Sequence, residues 1–338
     1  MRISQDVGID LGTATVLVHV RGKGIVLKEP AVIAVDKNTK EVLAVGNEAK
    51  KMLGRTPKGI ETIRPIKDGV VSDYVATEKM LKYFLNKVSE KEVINPRVMI
   101  CIPSGVTEVE KKAVITAANN AGARQVHLIE ETLAAAIGAG IDITKPKGTV
   151  VIDVGGGTTD VAVVSLGGIV KSQSIRVAGD KFDEAIIKHI KKNYNVIIGE
   201  NTAEKIKVEI GTVYKKPKME AMKIRGRSLI SGLPIEIEIN SYEINEALSN
   251  AACEILEAVY TVMEKLPPEL CADITETGIY LTGGGALIYG LDKLIEEKTG
   301  LKTVLIDKAE SCVAIGTGKA LEHIELIEKG NTIKIKKM

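Results

Sequence analysis

Apolar residues along this chain fall into short continuous runs that alternate with longer stretches at helical spacing, a pattern that predicts α/β architecture. Val7–Asp10, Val16–Val20 and Ile25–Leu27 read as a meander of strands, with turns at Leu11–Ala14 and Arg21–Gly24. Ala31–Val35 and Val42–Val45 add two short strands, and a small helix follows near Glu48–Leu53. Tyr74–Val88 has helical periodicity, and Arg97–Ile102 reads as a buried strand closed by Pro103, Ser104 and Gly105. Thr107 with Glu110 three residues on is a capping-box signature, so a helix opens there, and Gly122 stops it. The strand Gln125–Ile129 leads into a helix over Glu131–Ala139, whose small Ala134, Ala135 and Ala136 let it lie close to a sheet or another helix.

After the polar break Lys145-Pro146-Lys147-Gly148 the opening pattern returns. VGIDLGTATVLVHV and VVIDVGGGTTDVAVVSL share an apolar strand, a terminal Asp, a glycine and threonine turn, and a returning strand. Their aspartates, Asp10 and Asp153, stand 143 positions apart, too long a period for a solenoid. Two related domains that present the same hairpin to one cleft explain the repeat. Residues 182–244 read as an insertion into the second half: helices over Phe182–Tyr194 and Thr202–Ile210, then strands over Met219–Arg225 and Pro234–Ile239. Asn240 with Glu243 caps a long helix running to about Leu266. Strands at Ile279–Thr282 and Val304–Ile306 follow, and a helix over Ser311–Leu321 can cross back to the first half.

Composition narrows the function classes. The 338 residues are 45% hydrophobic and 27% charged, with no Trp and two Phe, so the cores rest on Ile, Val, Leu and Ala. A net charge of +2 gives no electrostatic case for nucleic acid, and Lys334, Lys336 and Lys337 read as a solvated tail. Cys101, Cys253, Cys271 and Cys312 lack metal or disulfide spacing, and Cys101 and Cys312 sit in apolar settings. The four histidines are scattered and read as packing or surface residues. Without a signal-peptide pattern or an apolar run of membrane-spanning length, the expected compartment is the cytosol.

Three glycine clusters carry the chemistry. In Asp10-Leu11-Gly12-Thr13 the glycine admits an anion to backbone N–H groups, and the Asp suits a divalent cation held directly or through water. Taken alone, this stretch fits a plain hairpin turn better. Asp153-Val154-Gly155-Gly156-Gly157-Thr158-Thr159-Asp160 is more specific, because consecutive glycines between strands are entropically costly unless the backbone must wrap phosphate oxygens. Neither a Walker A loop nor a dinucleotide fingerprint is present. Leu281-Thr282-Gly283-Gly284-Gly285-Ala286 suits a base or ribose against bare backbone, and a tight turn equally well.

These clusters, in this order, resemble the actin, heat-shock chaperone and sugar-kinase superfamily. Within it the chain is similar to the MreB/Mbl family of bacterial actin-like cell-shape proteins along nearly its whole length. IDLGTATVLV, IRPIKDGVVSDY, IEETLAAAIGAG, VVIDVGGGTTDVAVVSLGGIV, SIRVAGDKFDEAI, NTAEKIKVEIG and LTGGGALIYGLDKL carry the likeness. The resemblance implies an actin-like ATPase fold: two related ribonuclease-H-like domains around a nucleotide cleft, each with a smaller subdomain. Domain I would comprise residues 1–145 and 315–338, with its subdomain at about 33–66; domain II would span 146–314, with its subdomain at about 182–244.

By the same resemblance, Gly12, Thr13, Ala14 and Thr15 form the first phosphate loop, and Gly156, Gly157 and Thr158 the second. Glu204 and Lys207 bind the ribose and adenine side, and Gly284, Gly285, Ala286 and Leu287 form the adenosine loop. Asp10 and Asp153 organise Mg²⁺, Glu131 orients the water that attacks the γ-phosphate of ATP, and Thr158 helps to position it. Without the family context, Glu131 reads as an acid favoured at a helix N-terminus. Thr132 and Thr15 depart from the usual Pro and Asn, and the first bears on where the helix starts.

The implied function is an ATP-dependent filament that assembles head to tail in paired protofilaments and works with membrane proteins of cell-wall elongation. It would sit peripherally at the inner face of the membrane, with Val93 and Ile94 as a lipid-touching loop; inward packing of both is an equal reading. A small-molecule kinase or a plasmid-segregating actin on the same fold remains open.

Overall fold

The computed structural model describes residues 4–88 and 94–324. The first half opens as a meander: β1 (Ser4–Leu11), β2 (Thr15–Val20) and β3 (Gly24–Pro30), antiparallel in sequence order. A smaller sheet follows, β4 (Ile33–Asp36), β5 (Val42–Val45) and β6 (Ile60–Ile63), with α1 (Asn47–Met52) between its last two strands. A two-stranded hairpin, β7 (Ile66–Lys67) and β8 (Val70–Val71), then leads to α2 (Tyr74–Val88). β9 (Ile94–Ile102), α3 (Glu108–Asn120), β10 (Gln125–Glu130) and α4 (Glu131–Gly138) complete this half. The expected capping box of α3 is formed: Thr107 Oγ1 accepts from Glu110 N–H, and the Glu110 carboxylate accepts from Thr107 N–H. Thr132 does not displace the start of α4, which begins at Glu131 as the sequence predicts.

The second half repeats the plan with β11 (Thr149–Val154), β12 (Thr159–Ser165) and β13 (Gly168–Ile175). α5 (Gly179–Tyr194), β14 (Val196–Ile197), α6 (Glu200–Ile210), β15 (Ala221–Ser228) and β16 (Pro234–Asn240) follow. Asn240 caps α7 (Ser241–Met263) through the predicted box with Glu243. Then come α8 (Pro268–Thr277), β17 (Ile279–Thr282), α9 (Leu291–Thr299), β18 (Thr303–Leu305) and α10 (Ala309–Ala320). β6, the hairpin β7–β8, β13, β14 and α8 are additions to the sequence reading. β13 escapes it because KSQSI presents half-exposed polar positions rather than an apolar run.

Both large sheets have the same internal order. The first runs β3-β2-β1-β9-β10 and the second β13-β12-β11-β17-β18, with the first three strands antiparallel and the last two added in parallel. Each half is therefore the same topological unit, and the repeat seen in two short hairpins extends to the whole sheet. Ile, Val, Leu and Ala dominate both cores, which hold Phe84 in one half and Phe182 in the other.

The halves are joined where α10 lies across α4 and against β1, β2 and β9. Small residues permit this approach. A Cβ on Gly316 would overlap the Ala134 carbonyl oxygen, and one on Gly138 would overlap that of Cys312, so backbone meets backbone without intervening side chains. The alanines of α4 thus serve the close packing that their size suggests. Among the described residues no helix is long and apolar enough to cross a membrane. Val93, and the side chain of Ile94, lie outside the described residues.

Candidate functional site

β1 ends at Leu11 and β2 begins at Thr15, so Gly12–Ala14 form the turn; in the second half the corresponding turn is Gly155–Thr158. Both turns border one cavity of about 840 Å³. They also touch: a Cβ on Gly156 would stand 2.7 Å from the Ala14 Cβ, and one on Gly157 2.5 Å from Thr13 Oγ1. Absence of side chains is what lets the two backbones converge. The third glycine cluster packs on the second, since a Cβ on Gly285 would stand 2.7 Å from the Gly155 carbonyl oxygen. Every residue that the sequence singles out for nucleotide, metal or catalysis lines this cavity except Ala286, which is buried behind its loop in the core of the second half.

Acids gather at the closed end of the cavity. Asp10 sits at the end of β1, Asp153 at the end of β11, and Glu131 in the first turn of α4, directly after β10. Burial pushes the Asp10 carboxyl up to about 6. Burial, then the charges of Asp10 and Asp160, holds Asp153 well above the usual carboxylate range. Glu131 is raised likewise by burial, then by Asp160, Asp153 and Asp10. Asp153 is only 5% exposed, and its Oδ1 has no hydrogen-bond partner among the described residues. Buried like charges without partners are costly unless protonated or neutralised by a cation. Among the described residues no group of three or more His, Cys, Asp or Glu could hold a metal ion by itself, so Asp10, Asp153 and the orphaned oxygen fit a divalent ion only if other oxygens complete its shell. Such an ion would keep waters or take oxygens from a bound phosphate, as Mg²⁺ does.

Sequence reasoning missed several participants. Asp160 is 1% exposed and stands directly opposite Asp153 across the β11–β12 ladder, so both carboxylates belong to one sheet face. Burial pushes it up to about 7, opposed by the Ser104 N–H that donates to its Oδ1 at 2.7 Å. Ser104 belongs to the first half, and its hydroxyl donates to Glu130 at 2.9 Å, so this acid is anchored from across the junction. Counting back from the glycine turn would have revealed the Asp153–Asp160 pairing. Asp68 and Gly69, both at positive φ, form the two-residue turn of the β7–β8 hairpin, for which Asp-Gly is a strong signal. Gly69 N–H donates to Thr13 Oγ1 at 3.0 Å, and a Cβ there would stand 2.9 Å from Thr158 Cγ2, so this turn touches both glycine loops.

Glu204 and Lys207 line the open end, but each already has a protein partner. Lys207 Nζ donates to Asp183 at 2.7 Å and to the Gly179 carbonyl at 3.0 Å. Burial raises Asp183 to about 6 against the opposing pull of Lys207. Glu204 accepts from Lys50 of α1 at 2.9 Å, and Glu200 from Arg64 at 3.2 Å. These two ion pairs bridge the halves across the mouth of the cavity. Exposed Val208 and Leu287 add apolar surface to the same end.

Comparison with known proteins agrees with this geometry. A profile of the MreB/Mbl protein family matches residues 4–329. Cell shape-determining protein Mbl of Bacillus subtilis is 51% identical over 327 residues, 96% of this chain and 98% of the relative. Cell shape-determining protein MreB of Escherichia coli K12 is 50% identical over 329 residues, 96% of this chain and 95% of the relative. The crystal structure of MreB5 of Spiroplasma citri bound to ADP superposes with a TM-score of 0.91 at 41% identity, covering 95% of this chain and 97% of that one. A second structure of that protein, bound to AMPPNP, gives 0.92 at 40% identity over 98% and 100%. The fold is actin-like, and the chain belongs to the MreB/Mbl family.

Proposed function

We propose that this chain binds ATP with Mg²⁺ in the cavity between its halves, hydrolyses it, and assembles head to tail into filaments that organise cell-wall elongation and rod shape at the inner face of the membrane. The observation that carries the reading is the convergence of Gly12–Ala14 and Gly155–Thr158 on one acid-floored cavity. The ADP and AMPPNP complexes of the Spiroplasma relative support a nucleotide as the occupant, and the names of the relatives support the cellular role.

In this reading domain I comprises residues 1–145 with 315–338 and domain II residues 146–314, and the nucleotide lies between them. The bound Mg²⁺–ATP supplies the γ-phosphoryl group and neutralises charge at the closed end. Backbone N–H groups of the two glycine turns hold phosphate oxygens, and Thr13 and Thr158 offer hydroxyls beside them. Asp10 and Asp153 face the cation. Glu131 accepts a hydrogen bond from the attacking water and orients it, a role that needs a carboxylate at a fixed position. Gly284, Gly285 and Leu287 back the adenosine, and Glu204 and Lys207 lie on its ribose side, Lys207 turning to it from Asp183 while Glu204 keeps its pair with Lys50. A head-to-tail contact is heterologous, so repeated assembly gives an open polymer.

Sedimentation tests the whole reading. The protein is expected to pellet with ATP and Mg²⁺ and to remain in the supernatant when either is omitted. A chain that stays monomeric under every nucleotide condition refutes filament assembly. A second expectation concerns the mouth of the cavity. The Lys50–Glu204 and Arg64–Glu200 pairs must part for nucleotide to leave, and exposed pairs are individually weak and salt-sensitive. Lys50→Ala with Arg64→Ala should release a fluorescent nucleotide about two to five times faster per pair removed. Rising salt should quicken release from the parent protein and leave the double variant nearly unchanged. Equal salt dependence in both proteins would show that the pairs do not gate release.

A further inference from the structure

We propose that Cys101 is a positioning residue whose thiol donates a hydrogen bond to Asp10 Oδ1 and fixes that carboxylate toward the divalent cation. The inference rests on the nucleotide–metal reading above and deepens it. β9 runs parallel to β1, with Ile9 paired to Ile100, so the next residues along each strand, Asp10 and Cys101, stand side by side, Asp10 lining the cavity and Cys101 buried behind it. Cys101 Sγ lies 3.3 Å from Asp10 Oδ1, and the cysteine is 2% exposed. Its sulfur accepts from the Leu11 backbone N–H, which leaves the thiol proton for Asp10.

The duplicated half makes the contrast. There the equivalent position beside Asp153 on β17 is Thr282, paired with it in register. Thr282 spends its hydroxyl on the Ala309 carbonyl at 3.0 Å, and Asp153 Oδ1 is left without a partner. One aspartate of the pair is thus steered by a side-chain donor, while an oxygen of the other has no partner and faces the same cavity. A buried cysteine that served packing alone would have no reason to aim its proton at the carboxylate facing the cation.

The test uses the full chain with Cys101→Ser, Cys101→Ala and Cys101→Val. AMPPNP affinity is measured by calorimetry over a series of Mg²⁺ concentrations, beside the thermal midpoint without nucleotide. Loss of the donor in the Ala and Val variants should raise the Mg²⁺ concentration at half-effect about three- to tenfold, in keeping with one ordinary hydrogen bond, since a thiol is a weak donor. Ser, which keeps a donor, should stay close to the parent. Val nearly preserves the buried volume, so at least one donor-free variant is expected to fold. An unchanged Mg²⁺ midpoint in Ala and Val, whatever their thermal midpoints, or a Ser variant that behaves like Ala, overturns the assignment. If the parent itself binds AMPPNP with no dependence on Mg²⁺, the metal reading fails, and that result is distinct from the other two.

Discussion

Glu131→Gln is expected to lower steady-state phosphate release from ATP by about 10²- to 10⁴-fold, the range that a positioned proton acceptor contributes. AMPPNP affinity should stay within a few-fold of the parent value. The substitution keeps the shape and hydrogen-bonding reach of the side chain and removes its ability to take a proton. Glu131 is buried in the first turn of α4 and lines the cavity. Burial and then the charges of Asp160, Asp153 and Asp10 raise its proton affinity; a cation on the two strand-end aspartates would relieve their share and leave Glu131 ionised to accept from water. The competing account is a helix N-terminal acid favoured by the dipole, worth about 0.3–1 kcal/mol of stability and nothing in rate. Phosphate release and AMPPNP binding measured on one preparation separate the two. Unchanged release would leave Glu131 with the structural role alone. If hydrolysis loosens the polymer, the variant should also pellet with ATP and then disassemble more slowly than the parent.

The fold was legible because the decisive signals are local. Apolar runs gave the strands of both large sheets apart from β13, and the Thr107–Glu110 and Asn240–Glu243 boxes marked helix starts that the structure reproduces. The two glycine hairpins announced the duplication, since a strand ending in Asp before a glycine turn has the same physical purpose in each half. What stayed hidden depends on register or on distance along the chain. Asp160 faces Asp153 only once the ladder places them opposite each other. The Lys50–Glu204 and Arg64–Glu200 pairs join residues 154 and 136 positions apart, and nothing in the local pattern of either partner points to the other. The same holds for Ser104 and Asp160, which meet only because the halves pack together, with Glu130 nearby. The sequence neighbours of Cys101 mark it only as a small apolar residue; its donor role depends on the parallel pairing of β1 with β9.

That junction is also where the largest loss of stability is expected. Gly316→Ala should cost about 3 kcal/mol or more, at or beyond the upper end of ordinary overpacking, because the added methyl meets the backbone of α4 rather than a side chain. A Cβ on Gly316 would overlap the Ala134 carbonyl oxygen and stand 2.6 Å from its carbon and 2.8 Å from the Gly138 nitrogen. Neither helix can yield by turning a side chain; α4 and α10 must move apart. Gly168→Ala is the control, since a Cβ there meets nothing within 4 Å. Urea unfolding of the two variants should show a much lower midpoint for the first and little change for the second. Adding Ala134→Gly should not rescue Gly316→Ala, because the obstruction is the carbonyl of residue 134 rather than its methyl. A midpoint equal to the parent's would mean that the crossing adjusts freely and does not fix the halves. If the variant folds at a lower midpoint, α4 must have shifted, and Glu131 in its first turn with it; phosphate release should then fall further than nucleotide affinity, because the two glycine turns do not belong to α4 and orientation of a water is lost over small displacements.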